Sequence, residues 1–493
     1  MQDQQVHRST GPAARKQERW LLLLFLLSLP LLNPWVHGDG VGYYAFARAP
    51  LIEHSLDFQH DYQYANSSFR DARLDESGLP KAEFRTATGH LDNHFTVGPA
   101  ILWSPFLLIA HAGVLLARAL GSQVAADGFS GPYRIVMAFG TAVYGFIGII
   151  LAFRVARQYV GTRWAALAAF SVWWASSLPI YMYFNPSWSH AHSAFTVALF
   201  FWYWHETRRD RSILQWILLA AIAGLMLNVY YANATILVVL LIEAVRQYRA
   251  VLRDPSTSAS AAVRQPQALF ARHAIFVFVV FVCFLPTLIT RCIIYGKPFE
   301  SGYIPLSQWA WTSPYFLQVL FSANHGLLVW TPLPLFAVVG LFIFWRRNPE
   351  LGSAFLAATL AFYLLIACYP DWAGISSYSN RFFVSLTPLF IFGLAVLLDR
   401  VASFFQSART STATLSAILA CFILWNLAFM FQWGTHLVPA RGPISWRQMV
   451  QNQFLVVPQE ISAKIGNYLF HRSNLMRQIE ERDIRQMKDP SEP

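Results

Sequence analysis

The chain has 493 residues, of which 55% are hydrophobic, 16% aromatic and only 13% charged. A soluble protein of that length would need far more charge to cover its surface, so an integral membrane protein is expected. The net charge of +11 would point to nucleic acid in a soluble chain. Here the arginines gather at the ends of apolar runs, where they set topology and meet anionic headgroups, and no nucleic-acid partner is expected.

Residues 1–19 are polar and read as a disordered cytoplasmic terminus, with Arg15, Lys16 and Arg19 flanking the first apolar run. The run at 20–36 is followed by no small-x-small cleavage site and by many further spans, which predicts a retained first helix. Residues 37–98 then form a long outer loop. It opens on His37-Gly38-Asp39-Gly40-Val41-Gly42-Tyr43-Tyr44 and closes on Asp92-Asn93-His94-Phe95-Thr96-Val97-Gly98-Pro99. Its middle, 66–89, has Ser, Gly, Pro and charges without a period and is expected to be a mobile lobe.

Apolar helices are predicted at 99–120 and 132–153. If both crossed the membrane, the cluster Arg154, Arg157 and Arg163 would face outward. A re-entrant or juxtamembrane helix at 99–120 restores the positive-inside pattern. Spans then alternate at 163–183, 191–205, 213–231, 233–247, 273–294, 327–345, 352–369, 381–398 and 412–432, about eleven to twelve in all. A cytoplasmic linker is expected at 254–266, an aromatic outer loop at 295–325, and a polar outer tail at 433–493 with a short surface helix at 473–488. The fold class is all-α and polytopic, and neither an internal repeat nor an inverted pair of broken helices is evident.

Asp39, bracketed by glycines after a membrane helix, reads either as a helix N-cap or as a carboxylate held at the lipid–water boundary as a general base. The glycine spacing is no dinucleotide fingerprint, because it follows a membrane helix rather than a strand. Arg381 opens an inward-running helix behind Asn380, on the outer side, against the positive-inside trend. It reads as a phosphate ligand or as an arginine reaching for headgroups. His190 and His325, near helix starts, read as capping or packed groups or as substrate contacts. A zinc site at His190-x-His192 is disfavoured, since that spacing separates the rings on a helix. Asp57 and Asp61 fit a solvated face or a shared substrate contact. Aromatics at 303–315 suit an interfacial belt, with sugar stacking as the alternative. Cys283, Cys292, Cys368 and Cys421 lie in apolar runs at no ligand-like spacing.

The segment Gly38-Asp39-Gly40 with Tyr43, the long outer loop, and Asn93-His94 through Trp103 together resemble the GT-C membrane glycosyltransferases. The likeness is to bacterial relatives of the protein mannosyltransferases and the lipid A aminoarabinose transferase. Three further segments carry it: Pro186-Ser187-Trp188-Ser189-His190-Ala191, His325-Gly326-Leu327-Leu328-Val329-Trp330-Thr331-Pro332, and Asp371-Trp372 with Asn380-Arg381-Phe382-Phe383. It covers roughly residues 20–432. The resemblance implies an inverting sugar transfer from a polyprenyl-phosphate donor to an envelope glycan, lipid or protein, on the periplasmic face of a bacterial inner membrane. Asp39 is then the acceptor-activating base, with His94, His190, His325, Asn380, Arg381 and Asp61 as substrate-binding candidates. Relatives often carry Lys where His94 stands. Many also have a second acid where this chain has His190 and His192, so no cofactor and no metal ligand are expected. The rivals are a transporter or flippase for a lipid-linked sugar and a glycan polymerase or ligase.

Overall fold

The structure, a computed structural model, describes residues 12–253 and 266–488. Most of the expected linker at 254–266 and the first eleven residues of the expected disordered terminus lie outside that range. Residues 12–19 are already helical: α1 runs Pro12–Ser28. Glu18 pairs with Arg154 at 2.9 Å and lies 3.9 Å from Arg157, which gives these polar residues partners at the end of a later helix.

Residues 37–98, the expected outer loop, hold α2 (Asp39–Arg48), α3 (Gln59–Gln63) and α4 (Ser67–Arg73). Within 66–89, the stretch expected to be mobile, α4 forms, Phe69 and Leu74 are buried and Arg73 lies over the Phe69 and Phe84 rings; Phe58, Tyr62 and Leu91 are buried beside it. The scaffold follows: α5 (Gly98–Ala119), α6 (Gly131–Ala156), α7 (Thr162–Trp174), α8 (His190–Thr207), α9 (Ile213–Val229), α10 (Val238–Arg253) and α11 (Pro266–Tyr295). Two short helices, α12 (Phe316–Phe321) and α13 (Leu327–Trp330), precede α14 (Leu333–Arg347), α15 (Pro349–Cys368), α16 (Thr387–Ala402) and α17 (Ala408–Gly434). The tail folds into α18 (Trp446–Gln451), α19 (Val457–Phe470) and α20 (Arg472–Lys488).

Among the described residues, six helical segments are long and apolar enough to cross a membrane: α5, α6, α11, α15, α17 and the stretch Arg381–Ala402 that contains α16. With α9 as a shorter apolar helix, the molecule is a polytopic α-helical membrane protein; among the described residues the only β pairing is two isolated bridges. Helix starts follow local rules. Ser212 and Gln215 form a reciprocal capping box on α9, and Asn348 accepts the Leu351 N–H ahead of α15. Proline stands in the first turn of α5, α6, α14, α15 and α16, where its missing N–H costs nothing.

Helix α5 runs antiparallel to α6. Tyr144 donates to the Leu102 carbonyl at 3.0 Å, Trp103 to Thr141 at 2.8 Å, and His111 meets the Tyr133 hydroxyl at 2.7 Å. It therefore lies along the N-terminal part of α6 and stops before the end that carries Arg154. Helices α14 and α16 cross with their backbones in contact. A Cβ on Gly340 would lie 1.8 Å from the Gly393 carbonyl oxygen, and one on Gly393 2.1 Å from that of Ala337. Small residues let the two backbones touch there.

Candidate functional site

The site lies where the 3-10 turn leading into α16 meets the start of α2. Asp39 occupies the first turn of α2, after Gly38 at φ 53°, and the Asp39 side chain makes no N-cap bond. Its Oδ2 accepts from Arg381 Nη1 at 2.7 Å, joining residues 342 positions apart. The Asp39 side chain is one-third exposed and that of Arg381 only 11%, so the acid is reachable while the cation is enclosed.

Close packing sets this geometry. A Cβ on Gly40 would fall 1.9 Å from Ser187 Oγ, and one on Gly42 2.0 Å from the Phe95 ring, so α2 lies directly on the 185–190 turn and the end of the outer loop. Trp188 is the wall between the charged pair and the scaffold. Its indole N–H donates to the His37 carbonyl at 3.1 Å, and its ring lies 4.6 Å beneath the Arg381 guanidinium. A guanidinium over an indole keeps favourable electrostatics when water is removed. Gly374 leaves room for Arg381: a Cβ there would lie 2.9 Å from Nε.

The helix start expected at Arg381 takes another form. Residues Arg381–Leu386 form a 3-10 helix, and the α-helix begins only at Thr387. Arg381 is thus the cation of this site, without a full α-helical N-terminus behind it. Ser187 Oγ, His190 Nδ1, Asn380 Oδ1 and Arg381 Nε are buried and find no hydrogen-bond partner among the described residues. Buried polar atoms normally have partners, so this group of orphans fits a polar ligand. The loop side carries a second acid, Asp371, whose carboxyl is pushed up by burial; Arg381 pulls against this and the Asp39 charge adds to it.

The other sequence-selected residues fall into two groups. His190 lies edge-on to Tyr181 with centroids 4.6 Å apart, and 6.1 Å from the Trp188 ring, within the aromatic wall. Asn380 is fully buried and donates to the Trp372 carbonyl at 3.0 Å. His325 is fully buried against Trp330, with the left-handed φ of 60°; burial, with Arg381 adding to it, holds its imidazole down to about 4. His94 is in contact with Asp92 at 3.4 Å and edge-on to Tyr303. Burial pushes the Asp92 carboxyl up, but bonds from His94 and Tyr295 outweigh it and the net shift is downward.

Asp61 is the departure from expectation. Both its oxygens accept from Arg48, each at 2.7 Å, and it is 3% exposed. Its carboxylate is paired with Arg48, which holds α3 against α2, and burial encloses it. Asp57, outside α3, accepts the Gln59 N–H instead. His192 is buried edge-on to Trp103 at 5.0 Å. Among the described residues no group of three or more His, Cys, Asp and Glu could hold a metal ion.

Two further residues shape the site. Arg291 is 2% exposed and donates to the carbonyls of Asn93, His94 and Phe95 at 2.8–2.9 Å, fixing the end of the outer loop. An arginine inside the apolar run of α11 was a signal for it. Trp188 was visible only as part of a motif, because an indole's partner is not encoded in its neighbours.

No protein-family model matches the chain, and no curated protein matches it. Among solved structures, it is similar to the apo form of an Archaeoglobus fulgidus oligosaccharyltransferase, at 14% identity and a TM-score of 0.44. The match covers 90% of this chain and 54% of that one, so the chain spans about half the length of the structure it matches.

Proposed function

We propose that the protein is a GT-C-type membrane glycosyltransferase that moves a sugar from a polyprenyl-phosphate donor to an envelope glycan, lipid or protein. The observation that carries this reading is the Asp39–Arg381 contact at 2.7 Å, set among orphaned polar atoms above a bundle of apolar helices. The motifs quoted above support the same class.

In this reading Arg381 takes the donor phosphate, for which a forked guanidinium is well shaped. The phosphate competes with Asp39 for the cation and leaves the carboxylate free to accept a proton. An acceptor hydroxyl or amine attacks the anomeric carbon and gives its proton to Asp39. The new glycosidic bond forms as the sugar–phosphate C–O bond breaks. Polyprenyl phosphate departs with the bonding electron pair, its charge met by Arg381. One displacement inverts the anomeric centre. The lipid tail lies along the apolar bundle, and the reaction belongs to the outer face of a bacterial inner membrane.

The test is reconstitution in lipid nanodiscs with radiolabelled undecaprenyl-phosphate-linked mannose, glucose and aminoarabinose. The wild type transfers label to a lipid, glycan or peptide acceptor, and Asp39→Asn lowers kcat by about 10²- to 10⁴-fold. Undiminished transfer by Asp39→Asn removes that residue from the chemistry. In sealed vesicles, donor that crosses the bilayer without transfer identifies a flippase instead.

A further inference from the structure

Helix α20 reaches the peptide that carries Asp39 through an unbroken run of hydrogen bonds. The Gly38 N–H donates to Asn66 Oδ1 at 3.0 Å. The Asn66 amide donates to both Glu480 oxygens, at 3.2 and 3.1 Å, and to Ser68 Oγ at 2.7 Å. Glu480 Oε1 also accepts the Ser68 N–H at 2.7 Å, so a residue 412 positions away occupies the capping role at the start of α4. Asn66, the N-cap residue, makes no such bond itself.

Helix α20 and the end of α19 are tied down on either side of this run. Tyr468 donates to the Leu31 carbonyl at 2.7 Å, and Arg472 donates to the carbonyls of Pro30, at 2.9 Å, and Leu32. Farther along, Arg482 donates to the Thr435 carbonyl, and Asp483 meets His436, both at 2.7 Å. Opposite Asn66, Trp188 closes the other side of the peptide. A Cβ on Gly38 would lie 3.3 Å from its ring, and the indole holds the His37 carbonyl. Gly38 has φ 53° and ψ −135°, outside the ordinary range of other residues. The peptide before Asp39 is therefore fixed from two directions, by Trp188 and by Asn66.

We propose that Asn66 and Glu480 are positioning residues. The C-terminal helix, acting through them, holds the Gly38–Asp39 peptide so that the Asp39 carboxylate faces Arg381. This rests on the reading of Asp39 as the base. Neither residue touches substrate; the consequence is for turnover rather than donor affinity, because small misplacements of a reacting group lower kcat sharply.

A charge rearrangement isolates the hydrogen-bond run from simple loss of packing. Asn66→Asp sets two carboxylates against each other. Glu480→Gln keeps an acceptor for the Ser68 N–H and supplies a donor. The double variant restores a donor opposite each acceptor, with the Gly38 partner intact. Hydrogen exchange of residues 38–42, on full-length protein in nanodiscs, reads the hold without substrate. Asn66→Asp and Asn66→Ala are expected to speed exchange there about tenfold or more, and the double variant to return it near the wild-type rate. Transfer assays with the three radiolabelled donors above are expected to show a kcat lower by about 10- to 100-fold in Asn66→Asp, with donor KM unchanged and kcat recovered in the double variant.

Wild-type exchange in both Asn66 variants, or a double variant as fast as Asn66→Asp, overturns the proposal. So does full turnover by Asn66→Asp when Asp39→Asn is inactive. If Asp39→Asn transfers normally while exchange follows the expected pattern, the catalytic reading of Asp39 falls, and the hold on its peptide stands.

Discussion

Two acids of the first outer loop, Asp39 and Asp61, each meet an arginine, and their settings differ. The Arg48–Asp61 pair is bidentate and enclosed, with side chains 1% and 2% exposed, and Glu53 adds a further contact to Arg48 at 2.7 Å. Removing one partner of such a pair strands a buried charge, at about 3–5 kcal/mol. With Glu53 still in place, Asp61→Ala is expected near 3 kcal/mol, seen as a lower midpoint in thermal unfolding in detergent. Nothing local to Asp61 in the sequence indicates this commitment, because its partner lies on another helix. Arg381 was legible for the opposite reason: the sequence sets it at the start of an apolar run on the expected outer side, against the positive-inside trend. His37 adds a pH dependence. Burial lowers its pKa to about 4, against the opposing charges of Asp483 and Asp39. Its folded value lies below the ordinary 6.5, so its stabilising contribution is full above pH 6.5 and is lost as pH falls toward 4. The unfolding midpoint should drop across that window, and the drop should be shallower in His37→Gln.

At the level of elements, the apolar runs announced most helices because twenty residues of hydrocarbon have few other homes. The loop helices α3 and α4 gave no such signal. They are five and seven residues long, too short for a hydrophobic period, and their order comes from distant partners such as Arg48 and Glu480. The crossing of α14 and α16 was equally hidden, since a glycine in an apolar run is common and only its neighbour gives it meaning. There Gly393→Ala is expected to push the two backbones apart at a cost of about 1–3 kcal/mol, again read as a lower unfolding midpoint. Gly434→Ala, whose added Cβ meets nothing within 4 Å, serves as the control.

For the molecule as a whole, contacts tie distant segments to common ends of the bundle. Glu18 of α1 meets Arg154 of α6, and Tyr159 meets His205 of α8; at the other end lie the outer loop, the 185–190 turn and α20. Single cysteines placed at Ser77 and at Arg209, in a background lacking the native four, should therefore be labelled by an impermeant maleimide from opposite sides of sealed vesicles. Labelling of both from one side would overturn that arrangement. The anchoring of α20 on the first outer loop also sets a timetable. Residues 37–98 leave the ribosome hundreds of positions before Glu480 does, and chains fold as they are made. The loop must therefore wait, uncapped at Ser68, through the insertion of every intervening helix. A nascent chain halted before Arg472 would carry both Asp39 and Arg381, yet would lack the clasp that α20 closes on the loop around Asn66.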